Sequence, residues 1–153
     1  MTYKKEFDID KKSFDFASDL AFGEAGESFV KEFYRSVIQG SAEIKTDRYR
    51  NGRMVVETNQ NPQNAVDEKG IQVWKLSGIN VTTAQWWIYV YAIEQSMAIV
   101  SVQRLKKYLK LNRELFNEKT KVVFARNSDN PAKGFLVQPE QVMDMMYNEK
   151  YDN

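Results

Sequence analysis

The stretch AEIKTDRYRNGRMVVETNQ, residues 42–60, decides how the chain is to be folded. Two runs containing β-branched residues flank Asn51-Gly52, and Asn-Gly between such runs is a strong hairpin signal. Yet Glu43, Lys45, Asp47, Glu57 and Asn59 interrupt the runs at alternate positions. Side chains alternate along a strand, so the pairing register decides which residues share a face. A two-residue turn sets Arg50 opposite Arg53 and Asp47 opposite Val56, which mixes charges with aliphatics on both faces. A three-residue turn, with Gly52 or a neighbour left-handed, sets Asp47 opposite Glu57 and Lys45 opposite Asn59. The faces then separate. Ala42, Ile44, Met54 and Val56 lie on one side with Thr46 and Thr58, and the charged residues and Asn59 lie on the other. We expect this second register, because pairing follows such sorting.

Two carboxylates directly opposite on paired strands have Cβ atoms about 5 Å apart, and they repel unless a cation stands between them. A divalent metal meets that need, since Mg²⁺ takes carboxylate oxygens and keeps several waters. The competing reading is a solvated sheet face on which Lys45 relieves an incidental Asp-Glu pair.

Outward from this stretch, Phe22, Phe29, Val30, Phe33, Val37 and Ile38 recur at helical spacing. Gly23 and Gly26 weaken the start, so the regular helix is expected from about Glu24 to Ile38, ended by Gln39-Gly40. NQNPQNAVDEKG, residues 59–70, reads as loop. Val73–Leu76 reads as a short strand, WIYVYAI and MAIVSV as two strands around Glu94-Gln95-Ser96, and QRLKKYLKLNREL as a helix. KVVFAR and KGFLVQ read as strands, and PEQVMDMMY as a short helix with proline in its first turn. This order indicates a mixed α/β fold in one domain, 1–153.

Hydrophobic residues make up 42% and charged residues 28%, as in folded globular chains. Spanning a bilayer takes roughly 20 apolar residues, and the longest apolar run is Trp86 to Ile93, so no membrane partner is expected and the cytoplasm is the default compartment. There is no cysteine and no histidine. That excludes disulfides, thiolate or imidazole zinc sites, and serine-histidine machinery. Neither GxxxxGK[ST] nor GxGxxG occurs. Carboxylates, lysine, hydroxyls and an oxygen-bound metal are what remains for catalysis.

The net charge is +1, unevenly spread. Seven acids between Glu6 and Glu27 face Lys11 and Lys12, and eight bases between Arg104 and Arg126 face Glu114 and Glu118. Arg104, Lys106, Lys107 and Lys110 suit a phosphate backbone, or else form a solvated helix face. Trp74, Trp86 and Trp87 are core residues or base-stacking groups. Adjacent Trp86 and Trp87 point opposite ways on a strand, which places at least one at the surface or an interface.

EIKTD (43–47), NGRMVVET (51–58), SGI (77–79) and TTAQWW (82–87), with the later LKKYL and KGFLVQP, together resemble small phage-type members of the PD-(D/E)XK nuclease superfamily. The likeness covers about residues 14 to 139. It implies a restriction-endonuclease-like core: a helix, a three-stranded antiparallel-leading mixed sheet, a helix and a strand. It also implies metal-dependent hydrolysis of phosphodiester bonds in DNA, by an endonuclease or resolvase-like enzyme acting in the host cytoplasm. Asp47 and Glu57 then hold Mg²⁺ or Mn²⁺, with the Thr58 carbonyl a further ligand. Glu27, following Gly23, supplies a third carboxylate, with Glu24 its competitor. The motif lysine falls at Asn59, and Lys45 is expected to supply the missing ammonium. A homodimer follows from the same likeness, because cutting two strands calls for two sites. The alternative is a non-catalytic nucleic-acid-binding module that retains the nuclease fold.

Overall fold

A computed structural model describes residues 16–152, in two compact units that divide after Ser41. Glu6 to Asp15 of the acidic stretch lie outside the described residues.

The first unit carries one helix, α1 (Phe16–Ile38), which begins earlier than its glycines led us to expect. A Cβ at Gly23 or Gly26 would meet nothing within 4 Å. Each glycine therefore costs only helix propensity, about 1 kcal/mol. At the other end Gly40 adopts φ +80°, with Gly40 N–H bonded to the Val37 carbonyl and Ser41 N–H to that of Ser36. This is the left-handed glycine cap that stops a helix by satisfying its last carbonyls.

The second unit is α/β, with two sheets. β1 (Ala42–Asp47), β4 (Trp86–Tyr91) and β5 (Ser96–Ser101) form a mixed sheet in the order β1-β4-β5. β2 (Met54–Gln60), β3 (Lys75–Leu76), β6 (Val122–Phe124) and β7 (Ala132–Val137) form an antiparallel sheet in the order β3-β2-β7-β6. α2 (Val102–Leu111) follows β5, capped by Ser101, whose hydroxyl accepts from Arg104 N–H. It stops at Asn112, short of the expected NREL turn. α3 (Pro139–Tyr147) forms where PEQVMDMMY predicts it.

The expected hairpin does not form. β1 pairs in parallel with β4, Glu43 beside Trp87 and Asp47 beside Tyr91, whereas β2 pairs with β3 and β7. Gly52 takes φ +66°, the left-handed residue that a three-residue turn requires, yet the turn's backbone donors do not close a hairpin. Side chains take the backbone donors instead: Asp47 Oδ1 accepts from Tyr49 N–H and Asn51 Oδ1 from Arg53 N–H. These local bonds lead the chain out of one sheet into the other. β4 is the most apolar strand of the chain and is flanked on both sides, by β1 and by β5.

The faces of β1 are also reversed from expectation. Ile44 is 56% exposed, while Glu43, Lys45 and Asp47 are partly buried. The core lies between the sheets and α2, with Met54, Val56, Phe135 and Val137 of one sheet joined by Trp87, Tyr89 and Val100 of the other. Leu105, Tyr108 and Met145 close it from the helices. Trp86 and Trp87 are both buried, so neither is the surface aromatic that the sequence called for. Among the described residues no helix is long and apolar enough to cross a membrane.

Candidate functional site

Although β1 and β2 lie in different sheets, their charged residues meet. Lys45 Nζ lies 2.9 Å from a Glu43 carboxylate oxygen and 4.0 Å from one of Glu57. All three side chains are partly buried. The ammonium also sits 5.9 Å from the centre of the Trp87 ring. Asp47 continues the same face of β1, two residues beyond Lys45. Its Oδ2 accepts from the Tyr89 hydroxyl at 2.9 Å, and Tyr89 is the neighbour of Lys45 in the parallel register. Burial, and then the bond to Asp47, push the Tyr89 hydroxyl well above the usual phenol range, while the Val55 backbone bond pulls the other way. Tyr89 therefore stays a donor and fixes Asp47 as an acceptor. Tyr91 is pushed up as well, by burial and then by the charge of Asp47.

Glu43, Asp47 and Glu57 set three carboxylates against one ammonium, a patch of formal charge −2. Its oxygen donors are those that Mg²⁺ and Mn²⁺ take, and Lys45 shows that a cation already serves between Glu43 and Glu57. Carboxylate oxygens offer about four lone-pair sites, so the two bonds that Asp47 accepts leave capacity. The set is nevertheless smaller than the resemblance implies. Among the described residues no three acidic groups cluster closely enough to hold a metal ion. The Thr58 carbonyl accepts from both Ser77 N–H and Asn80 Nδ2, each at 3.0 Å, which occupies its two lone pairs. Glu27 belongs to the other compact unit, 3.9 Å from Lys31 one helical turn on, and exposed. An ion here would rest on two carboxylates, with water and substrate oxygens completing its shell, as Mg²⁺ allows.

Asn59 is elsewhere. Between Glu57 and Asn59 the ladder with β7 shifts register: Glu57 pairs with Gly134 and Asn59 with the adjacent Lys133. Such a bulge puts two residues against one and offsets the alternation of faces. Glu57 consequently turns toward Lys45, while Asn59 Oδ1 accepts from Lys121 Nζ at 3.0 Å. The expected pairing of Lys45 with Asn59 is thus replaced by two separate lysine sites, one on each side of β2. Backbone crowding holds the bulge in place. A Cβ at Gly134 would come within 2.0 Å of the Val56 carbonyl oxygen, and one at Gly78 within 2.2 Å of that of Glu57.

On the Lys121 side an open groove of about 530 Å³ is lined by Thr58, Asn80, Phe135 and four cations, Lys106, Lys110, Arg113 and Lys121. The basic helix therefore divides. Lys106 and Lys110 face this groove, whereas Arg104 and Lys107 are structural. Arg104 donates to the carbonyls of Met145 and Asn148 and to the Asp152 carboxylate at 2.6–2.7 Å. Lys107 donates to the Asp152 carbonyl.

Sequence reasoning passed over four residues that the structure brings forward. Glu43 and Tyr89 complete the acidic patch, and Arg113 and Lys121 complete the groove. Glu43 was visible as an acid two places before Lys45 on one strand face; the other three depend on tertiary packing. Comparison of the chain with protein-family models, curated proteins and solved structures finds no match.

Proposed function

We propose that the chain is a divalent-metal-dependent nuclease that hydrolyses phosphodiester bonds in DNA, working from the patch of Glu43, Lys45, Asp47 and Glu57. The observation that carries this reading is Lys45, whose ammonium joins the acidic face of one sheet to Glu57 of the other. Asp47 and Glu57 would hold Mg²⁺ or Mn²⁺, and such an ion acidifies bound water and neutralises charge on the phosphate oxygens. Lys45 presents its ammonium to a phosphate oxygen, which reduces the repulsion between substrate and carboxylates. Tyr89 holds Asp47 in one orientation. Water adds to phosphorus, the bridging P–O bond breaks, and the leaving oxygen takes a proton from solvent. No histidine is required, in keeping with the composition.

Asp47→Asn and Glu57→Gln test this directly on supercoiled, branched and single-stranded DNA with Mg²⁺ or Mn²⁺. Each should lower cleavage more than about 100-fold, beyond the loss typical of outer-shell changes, with binding retained. A wild-type protein that nicks none of these substrates rejects the hydrolytic reading. One observation favours a second reading, a binding module without catalysis. Asn59 stands where the motif has lysine, and the bulge turns it away from Glu57. In that case wild type binds DNA with no metal requirement, and the Asp47→Asn variant binds equally well.

A further inference from the structure

Lys121 is an unusual lysine. Its side chain is only 8% exposed, and it has one acidic partner, Glu118, which is itself mostly exposed. Burying an ammonium is expensive unless its donors are met. Three acceptor sites are needed, and two are supplied, by Asn59 Oδ1 and the Glu118 carboxylate. The Phe135 ring lies 5.7 Å from the ammonium. One N–H therefore remains for the groove that Lys121 lines. Along the rim, Lys106 and Lys110 are exposed one helical turn apart on α2, and Arg113, in the turn that follows the helix, is exposed as well. Among the described residues none of these three has an ion-pair partner, in contrast to Arg104 on the same helix. Four cations against one carboxylate thus share a single groove.

We propose that this groove is a binding track for the phosphate groups of a nucleic-acid strand, anchored at its floor by Lys121 and along its rim by Lys106, Lys110 and Arg113. The shape of the charge favours a strand over a single phosphate. Lys106 and Lys110 are about 6 Å apart along the helix axis, and Arg113 lines the same groove from the turn after α2. A polyanion fills such a row, whereas one phosphate leaves most of it uncompensated. Phe116 and Phe135 in the lining are almost completely buried, which removes them as stacking platforms, so the contact is to backbone and carries no base preference. The inference rests on the reading that the protein acts on nucleic acid, and it supplies a surface on the far side of β2 from the acidic patch.

The test is fluorescence anisotropy with a labelled single strand of about 20 nucleotides and its duplex, between about 50 and 200 mM salt, with ATP as a competing free nucleotide. A triple variant, Lys106→Gln, Lys110→Gln and Arg113→Gln, should lose at least about tenfold in affinity at the lower salt, and its log–log salt slope should fall by about 2. Lys69→Gln, a single charge loss at a residue that does not line the groove, should change neither. These are surface substitutions, and an unchanged thermal transition establishes that the triple variant is folded. Wild-type affinity and slope in that variant overturn the proposal, as does a wild type that binds neither strand nor duplex. Efficient displacement by ATP at micromolar concentration also overturns it, by showing a site for a free nucleotide. If the triple variant binds as wild type while Asp47→Asn abolishes cleavage, the track is wrong and the hydrolytic reading stands. The converse result leaves a binding track without hydrolysis.

Discussion

On one side of β2, Lys45 stands between two carboxylates, those of Glu43 and Glu57; on the other, Lys121 stands beside one, with three further cations along the same groove. Two residues apart on a regular strand, positions 57 and 59 would share a face and a charge environment. The bulge between them assigns each to a different one. One irregularity in one strand thereby builds a patch suited to cations and a groove suited to anions, back to back. The comparison also shows why two lysines are present: each neutralises the acceptors on its own side, and neither serves both.

The most severe way to break this contrast is to attack the bulge. Gly134→Ala drives a Cβ into the Val56 carbonyl, and backbone on both sides leaves nothing flexible to yield. We expect a loss on the order of 4 kcal/mol, read as a lower urea midpoint. Gly78→Ala meets the Glu57 carbonyl in the same manner and adds strain at φ +52°, for about 3 kcal/mol. If either variant unfolds at the wild-type midpoint, the bulge is not held by backbone contact.

Arg104 sharpens the contrast from another direction. It shares α2 with Lys106 and Lys110, yet its guanidinium donates to Met145, Asn148 and Asp152. Arg104→Gln should cost about 2 kcal/mol, because partly buried carbonyls lose a charged donor. Its DNA affinity and salt slope, per folded molecule, should match wild type. A reduced salt slope in this variant would return Arg104 to the phosphate-contacting set.

Much of this was legible in the sequence, and the reasons for the rest are specific. The β4–β5 and β6–β7 pairs and α3 follow from apolar runs between turn signals, because their partners are close in the chain. The polar face of β1 was likewise legible from alternation alone. What failed was partnership. β1 joins β4 across a long intervening segment, and local alternation carries no information about so distant a neighbour. Reading Asn51-Gly52 as a hairpin also overlooked Asp47 and Asn51 as competitors for the turn's backbone donors. The bulge at position 58 depends on Gly78 and Gly134, both remote in sequence, so the lysine facing Asn59 was out of reach. The division of α2 was partly within reach: positions 106 and 110 share a helical face that excludes 104.

The smallest expected effect tests the charge balance of the groove itself. Lys121 donates to Glu118 and holds that carboxyl below its ordinary range, against an opposing contribution from burial. A carboxylate so depressed adds stability above its ordinary pKa, and that stability fades as pH falls through the lowered value. The carboxylate is exposed, so little folding stability is at stake. Binding is more sensitive, because among the described residues Glu118 is the sole acid lining the groove. Glu118→Gln should strengthen polyanion binding by roughly two- to fivefold at about 50 mM salt, and the gain should shrink as salt rises. Acidification should reproduce the gain in wild type as Glu118 protonates, while the variant, already neutral there, lacks that step. A variant that binds more weakly than wild type would mean that Glu118 acts by positioning Lys121, and that geometry outweighs net charge in the groove.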